Sequence, residues 1–276
     1  LYATRDRSTS PTILVIVGAL AIAAVAAVTF TTHVIGPLLF THYADVPALA
    51  SAPKRTRNAK NVEGDPINIA IVAGSDSELT TAFRRAGWIE AEPVTRASSI
   101  GIAKSVLFDR PDSAAPVSPL FLFGHAQEHA FEREVGQSAR RRHHVRLWRD
   151  TSLHYDGRAM WIGSASFDDR AGISHRGFHP THHIDPDIDK ERDAIESDLA
   201  RAGQAARAFH VTGYGLRVDA HNAEGDRFDT DGEMLVIVVP PQNVPRPAPQ
   251  LLADPPLVRI KELVWGWFHR GRAAGP

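Results

Sequence analysis

Apolar and polar positions change rhythm several times along the chain, and the first change is the sharpest. Residues 8–44 contain no Asp, Glu, Lys or Arg, and PTILVIVGALAIAAVAAVTF lies inside that window. A run of about 20 apolar residues is the length a helix needs to cross a hydrocarbon core. This run also lacks the polar face that a soluble core helix turns to water. It predicts one spanning helix over about residues 12–32, with Ser10 able to cap it, Pro11 suited to its first turn, and Gly36 with Pro37 ending it. Residues 1–40 are read as the N-terminal segment that holds this helix. Arg5 and Arg7 stand on one side, while Lys54, Arg55, Arg57 and Lys60 stand further out on the other, so charge gives little purchase on orientation. The expectation is a single-pass membrane protein with its globular part outside the cytoplasm.

After residue 40 the period is lost. Residues 41–65 mix Pro, Ala and basic residues and are expected as a juxtamembrane linker. A folded domain is expected over 66–240. It opens with INIAIVA, a β-branched apolar run that reads as a buried strand. GSDSELTTAFRRAGW follows, where Ser75 or Ser77 can cap a helix, Leu79, Ala82, Phe83 and Ala86 form its apolar stripe, and Gly87 stops it. A second helix is expected over 94–107, and strands at PLFLFG, HHVRLWRD, AMWIGSASFD, AFHVTGYGLRV and EMLVIVVP. Residues 186–202 carry Ile188, Ile195 and Leu199 at helical spacing. The fold class is therefore α/β or α+β, a mixed sheet with packed helices preceded by one transmembrane helix. Residues 241–276 read as a Pro-rich tether and an amphipathic tail.

Composition narrows the partners. Lys and Arg number 31 against 32 Asp and Glu, a net charge of -1, and the two signs are mixed, so no large positive field exists for nucleic acid. The membrane is the expected partner, together with an envelope protein or lipid. There are no cysteines, which excludes disulfides, thiolate zinc ligands and thiol nucleophiles. The 14 histidines are clustered, which directs attention to metal or acid-base chemistry.

Four stretches could carry such chemistry. HAQEH at 125–129 has the H-x-x-E-H spacing of some zinc peptidases, with Glu132 or Glu134 nearby, and requires a helix to bring its histidines together. In RRRHHVRLWRD, strand alternation places His143, Val145 and Leu147 on one face and His144, Arg146 and Trp148 on the other. His144 with Arg142 and Arg146 would suit an anionic group, since guanidinium forks bind carboxylate or phosphate oxygens in pairs. FDTDG lacks the ligands of a calcium loop and reads as a turn. In THHIDPDID, Pro186 at the first helical position would make Asp185 the N-cap, with Asp187 and Asp189 in the first turn. That accounts for the acids and leaves His182 and His183 without an explanation. A lone strand, Gly74 and helix do not make a nucleotide loop, as neither GxxxxGK nor GxGxxG occurs.

Taken together, APVSPLFLFG, RHHVRLWRD, WIGSASFDD and THHIDPDIDKERD, in that order after INIAIVAGSDSELTTAFRRAGW, resemble the LssY carboxy-terminal domain family over about residues 64–203. The resembling positions are Arg142, His143, His144, Arg146 and Trp148, then Trp161 and Asp168, then His182, His183, Asp185, Asp187, Asp189, Glu191 and Arg192. The resemblance implies a domain that occurs beside membrane segments and brings no established activity. Two functions follow. The leading one is a membrane-anchored binding or assembly domain whose histidine pairs form buried hydrogen bonds. The other is a metal-assisted hydrolase or phosphoesterase, in which His144, His182, His183 and Asp185 bind a divalent ion or move protons while Arg142 and Arg146 hold an anion. The second requires imidazoles from both HH motifs in one pocket.

Overall fold

The computed structural model describes residues 11–31, 35, 46–91, 119–136, 138–176, 180–215, 218–242, 248–253, 256, 259–260 and 263. The helix expected over 94–107 lies outside them. The chain divides into two compact units, Leu1–Tyr43 and Ala44–Pro276.

In the first unit, helix α1 runs Pro11–Phe30, 20 residues with no acidic residue in its first turn and no basic residue in its last. Ile13, Val15, Ile16, Val17, Leu20, Ile22, Val25, Val28 and Phe30 are each more than half exposed. At 3.6 residues per turn these positions fall on every side of the helix. Side chains of α1 are described without a gap only over 15–30, and among the described residues no helix is long and apolar enough to cross a membrane.

The second unit has a mixed α+β fold. Its strands are β1 (Arg55–Arg57), β2 (Glu63–Pro66), β3 (Ile69–Ala73), β4 (Ile89–Glu90), β5 (Phe121–Leu122), β6 (His125–Ala126), β7 (His129–Val135), β8 (Ser138–Tyr155), β9 (Arg158–Ile173) and β10 (Pro180–Ile184), followed by β11 (Arg207–Val211), β12 (Val218–His221), β13 (Arg227–Thr230), β14 (Met234–Val238) and β15 (Gln250–Leu251). Helix α2 (Asp76–Arg85) follows β3, and α3 (Ile188–Arg201) follows β10. The main sheet has the order β15-β11-β14-β3-β9-β8-β7-β4, with β10 also paired to β9. The β14–β3 and β11–β15 pairs are parallel, and the remaining pairs of this sheet are antiparallel.

Strict alternation sorts the side chains of this sheet. Ile69, Ile71, Val145, Leu147, Trp161, Leu235 and Ile237 face α2 and α3, where they meet Leu79, Phe83, Ile195 and Leu199. Ala70, Val72, Trp148, Met160, Ile162 and Val236 face the other way, onto Val46, Leu49, Ala52, Leu120 and Leu122. The 41–65 linker is thereby corrected. From Val46 onward this stretch is part of the folded unit, since Val46, Leu49, Ala52 and Thr56 are buried and β1 pairs with β2 and β5. Its apolar residues are too sparse to show a period, yet each covers the open sheet face. The Pro-rich tether also contributes, through β15 alongside β11. AFHVTGYGLRV is not one strand but β11 and the start of β12, separated by a turn.

Two long strands position the site. β8 and β9 meet at Tyr155 and Arg158, joined by Asp156 (φ 50) and Gly157 (φ 72). Asp-Gly tolerates this left-handed pair, and such a two-residue turn matches the twist of a hairpin. β9 pairs with β3 from Ala159 to Gly163 and with β10 from Asp168 to Ile173. The far half of the β8–β9 hairpin thus carries β10, and with it the second histidine pair.

Candidate functional site

The side chains of β7, β8 and β9 form rows across the sheet. Glu132, His144 and Ser166 occupy one row, and Arg142 and Asp168 the next. All five are buried on the face opposite α2 and α3. Asp168 is their centre: its Oδ1 lies 2.9 Å from His144 Nε2, and its Oδ2 accepts from Arg142 Nε at 3.1 Å. Arg142 Nη1 donates to Glu132 Oε2 at 2.9 Å. Arg146 Nη1 approaches His144 Nδ1 at 3.2 Å. A guanidinium can only donate, so Nδ1 accepts and Nε2 carries the hydrogen given to Asp168. Both ring nitrogens of His144 are therefore engaged by protein partners.

Burial alone would raise the pKa of Asp168, but His144, then Arg142 and His182, overcome it and hold this carboxyl well below the ordinary range. Glu132 behaves differently: burial pushes it up to about 7, against the pull of Arg142 and with the help of Asp168. Its Oε1 is buried without a hydrogen-bond partner among the described residues, in line with the dominance of burial over the single bond from Arg142. Arg146 is lowered by burial, offset by Asp65 and Asp168. The arginines expected to grip an anionic ligand thus already hold carboxylates of the protein itself.

The other face of β8 confirms the alternation. His143 packs near Trp88 and Phe167, and its Nδ1 lies 2.6 Å from Glu191 Oε2. Burial pushes Glu191 up to about 9 and lowers His143 to about 4, the latter assisted by Arg133. Both directions describe a neutral pair sharing one proton, with the carboxyl donating to the imidazole.

β10 splits the second pair of histidines. His182 Nδ1 lies 3.9 Å from Asp168 Oδ2, so His144 and His182, one from each HH motif, converge on one carboxylate. His183 points elsewhere: its Nδ1 is 2.5 Å from Asp226 Oδ1, and His175 Nε2 lies 3.6 Å from the same oxygen. Asp185 joins neither group. Its Oδ1 accepts from Asp187 N at 2.9 Å, and Asp187, not Asp185, is the N-cap, accepting from Lys190 N. The helix starts later than the Pro186 signal implies because Pro186 O accepts from Asp229 N at 2.6 Å and Asp187 bridges Asp229, which holds this stretch extended beside β13.

Two other motifs resolve structurally. HAQEH is not helical: His125 opens β6 and His129 opens β7, with His129 Nδ1 2.8 Å from Glu90 Oε1. FDTDG is the end of β13 plus a loop, not a turn alone. Arg192 ties it to α3 through two bonds to Asp231, while Asp189 accepts from Thr230 Oγ1 and Asp231 N. At Gly74, the backbone N–H is taken by Glu78 Oε2 at 2.6 Å, and Ser75 caps α2.

Sequence reading missed His175 and Asp226 as partners of His183. Asp226 is 43 residues from His183 in the chain, and only the meeting of β10 with the turn after β12 brings them together. Asp168 was visible as part of a resembling motif, but nothing in its own spacing marks it as the carboxylate that His144, His182 and Arg142 share.

The arrangement is that of a mixed α+β domain with a histidine, arginine and carboxylate network buried against one long hairpin. The chain belongs to the LssY C-terminus family, whose model matches residues 46–234. That match begins at Val46, the first buried residue among those described in the folded unit. No curated protein and no solved structure matches the chain.

Proposed function

We propose that this protein is a membrane-tethered domain that binds or assembles with an envelope component, and that α1 is the tether. The observation that carries the reading is α1 itself: 20 helical residues, uncharged throughout, with bulky apolar side chains exposed on every side. At 1.5 Å per residue such a helix is about 30 Å long, the thickness of a bilayer core. Water leaves that surface unsatisfied and lipid covers all of it. The mutual pairing of His144, Arg142, Glu132 and Asp168 favours binding over catalysis at that network, because their charges are spent on one another. A cleft of about 480 Å³ bordered by Lys54, Arg55, Ile67, Tyr214, Phe228 and Glu233 offers a place for a small, partly apolar ligand.

The tether is tested by alkaline carbonate extraction of membranes holding the full chain. The wild type should stay in the pellet, and Val17→Lys with Ala24→Asp should move it to the supernatant. A wild type released by carbonate would end the reading. Because the chain has no cysteine, Thr151→Cys gives a single thiol, and labelling of intact cells by a membrane-impermeant maleimide checks the extracytoplasmic placement.

A second reading, metal-assisted hydrolysis of a phosphoester, draws support from a different place than His144, His182 and Asp185. It rests on His183, which His175 and Asp226 join beside a cleft of about 320 Å³. Hydrolysis of an aryl phosphodiester by the metal-loaded full chain, lost in His175→Ala, is the outcome it requires.

A further inference from the structure

We infer that His175, His183 and Asp226 form a binding site for a divalent transition ion of the zinc class, with a coordination position left open to the neighbouring cleft. One ligand atom from each residue lies within 4.8 Å of the others. Two imidazole nitrogens and a carboxylate oxygen suit a borderline ion such as Zn²⁺, whereas Ca²⁺ and Mg²⁺ favour all-oxygen sets. Three protein ligands with a vacant fourth position are the pattern of zinc sites that exchange water or bind a substrate.

The plainer account is a buried His183–Asp226 hydrogen bond with His175 nearby. Three observations go beyond it. Asp226 is 5% exposed, yet its Oδ2 has no hydrogen-bond partner among the described residues, so half of a buried carboxylate is unsatisfied there. His175 brings a third donor, its Nε2 3.6 Å from Asp226 Oδ1 and its ring centroid 4.7 Å from that of His183. Both histidines also pack directly against glycines. A Cβ on Gly172 would lie 2.5 Å from His183 Nε2, and one on Gly225 would lie 2.8 Å from His175 Cβ.

The loops that carry the donors are fixed independently of them. Asn222 Oδ1 accepts from Glu224 N at 3.0 Å and Asp226 N at 2.9 Å, which shapes the turn before Asp226. Ser174 Oγ accepts from Arg176 N at 3.2 Å and donates to Glu224 O, tying the His175 loop to that turn. The hydrogen shared by His183 Nδ1 and Asp226 Oδ1 occupies the place an ion would take. With the hydrogen of neutral His183 carried on Nε2 instead, Nδ1 offers its lone pair, and nitrogen and oxygen then both face the ion with no net loss of a proton from the ring.

Nearby arginines do not forbid a cation. Arg227 is held by both oxygens of Asp219 and by Asp229, and Arg170 lies 3.7 Å from Asp169. Arg170 and Arg227 border the same cleft, alongside His221. An anion on the open position would therefore find guanidinium groups close by, and phosphate or carboxylate oxygens fit that chemistry.

The test uses untagged full chain in nanodiscs, dialysed against micromolar Zn²⁺ or Co²⁺. About one equivalent of bound metal is expected, with an intense visible Co²⁺ spectrum of low coordination number. His175→Ala should weaken binding by about tenfold or more while His154→Ala, at an exposed site on β8, leaves it unchanged. His175 is exposed, so its replacement keeps the fold, as a matching thermal midpoint would verify. Asp226→Asn should weaken binding too. Added phosphate should shift the Co²⁺ spectrum. No metal retained by the wild type, or His175→Ala binding as tightly as wild type, would overturn the site; a spectrum indifferent to phosphate would overturn its open position.

Discussion

The two carboxylates that receive histidines, Asp168 and Asp226, stand in opposite situations. Both are buried, and each takes an imidazole from the neighbouring pair His182 and His183. Around Asp168 one partner, Arg142, is a cation that never loses its charge, and both oxygens are engaged, one by Arg142 and the other by His144. Around Asp226, among the described residues, no arginine bonds the carboxylate, one oxygen is left over, and the side chains that approach it are the imidazoles of His183 and His175. The teaching of the contrast is that a guanidinium closes a site, whereas imidazoles without one keep it open to an ion. A chain of contacts joins the two: Arg146 Nη1 lies 3.6 Å from Asp65 Oδ2, Asn222 Nδ2 donates to Asp65 Oδ1, and Asn222 Oδ1 accepts from Asp226 N.

Removing charge at the closed centre is the most damaging change. Asp168→Asn leaves Arg142 buried with a single weakened partner and should cost about 3–5 kcal/mol in urea unfolding. A loss under about 1 kcal/mol would mean that the network is not held by that carboxylate. His144→Ala keeps the Asp168–Arg142 pair and removes the contacts with Asp168, Arg146 and Ser166 together with packing, so a smaller loss of about 2–3 kcal/mol is expected.

The pair on the other face of β8 gives a pH signature. Glu191 is raised in the folded state, so above the unfolded value of 4.5 the unfolded chain releases a proton that the folded chain keeps until about 9. Its contribution therefore falls as pH rises through that window. His143 is lowered from 6.5 to about 4, so its contribution falls as pH drops through that interval. The two slopes oppose one another between about 4.5 and 6.5, and above that Glu191 acts alone, by up to about 1.4 kcal/mol per pH unit. Glu191→Gln should flatten the alkaline side of the stability profile. An unchanged profile would show that Glu191 ionises normally.

The smallest effect belongs to the open cluster. His175→Ala removes an exposed ring and should change stability by no more than about 0.5 kcal/mol without metal. Added Zn²⁺ should then raise the thermal midpoint of the wild type and not of the variant, since a ligand stabilises only the state that binds it.

Much of the fold was readable because strands and helices write their period into the chain. Val145 and Leu147 against His144 and Trp148 gave β8 and its two faces, and Leu79, Ala82 and Phe83 gave α2. The start of the folded unit was not readable, because Val46, Leu49 and Ala52 cover the sheet singly, without a repeat. At THHIDPDID the local signal separates the histidines from the acids but points to Asp185 as the cap, two residues before Asp187, since the bridge from Pro186 and Asp187 to β13 is a tertiary contact.

The sequence by itself determined the apolar α1 segment, the alternation that turns His143 and His144 to opposite faces, the helix faces of α2 and α3, and the family. Those are local or periodic properties, fixed by backbone geometry and side-chain spacing. Only the tertiary structure decided which carboxylate each histidine meets. Asp168 gathers His144 and His182 because β10 pairs beside β9, and Asp226 reaches His183 and His175 across a turn tens of residues away. Burial then sets the chemistry: where an arginine is enclosed with the carboxylate and bonds it the charges close on themselves, and where the neighbouring arginines are held by other carboxylates an oxygen and two imidazoles are left facing one another.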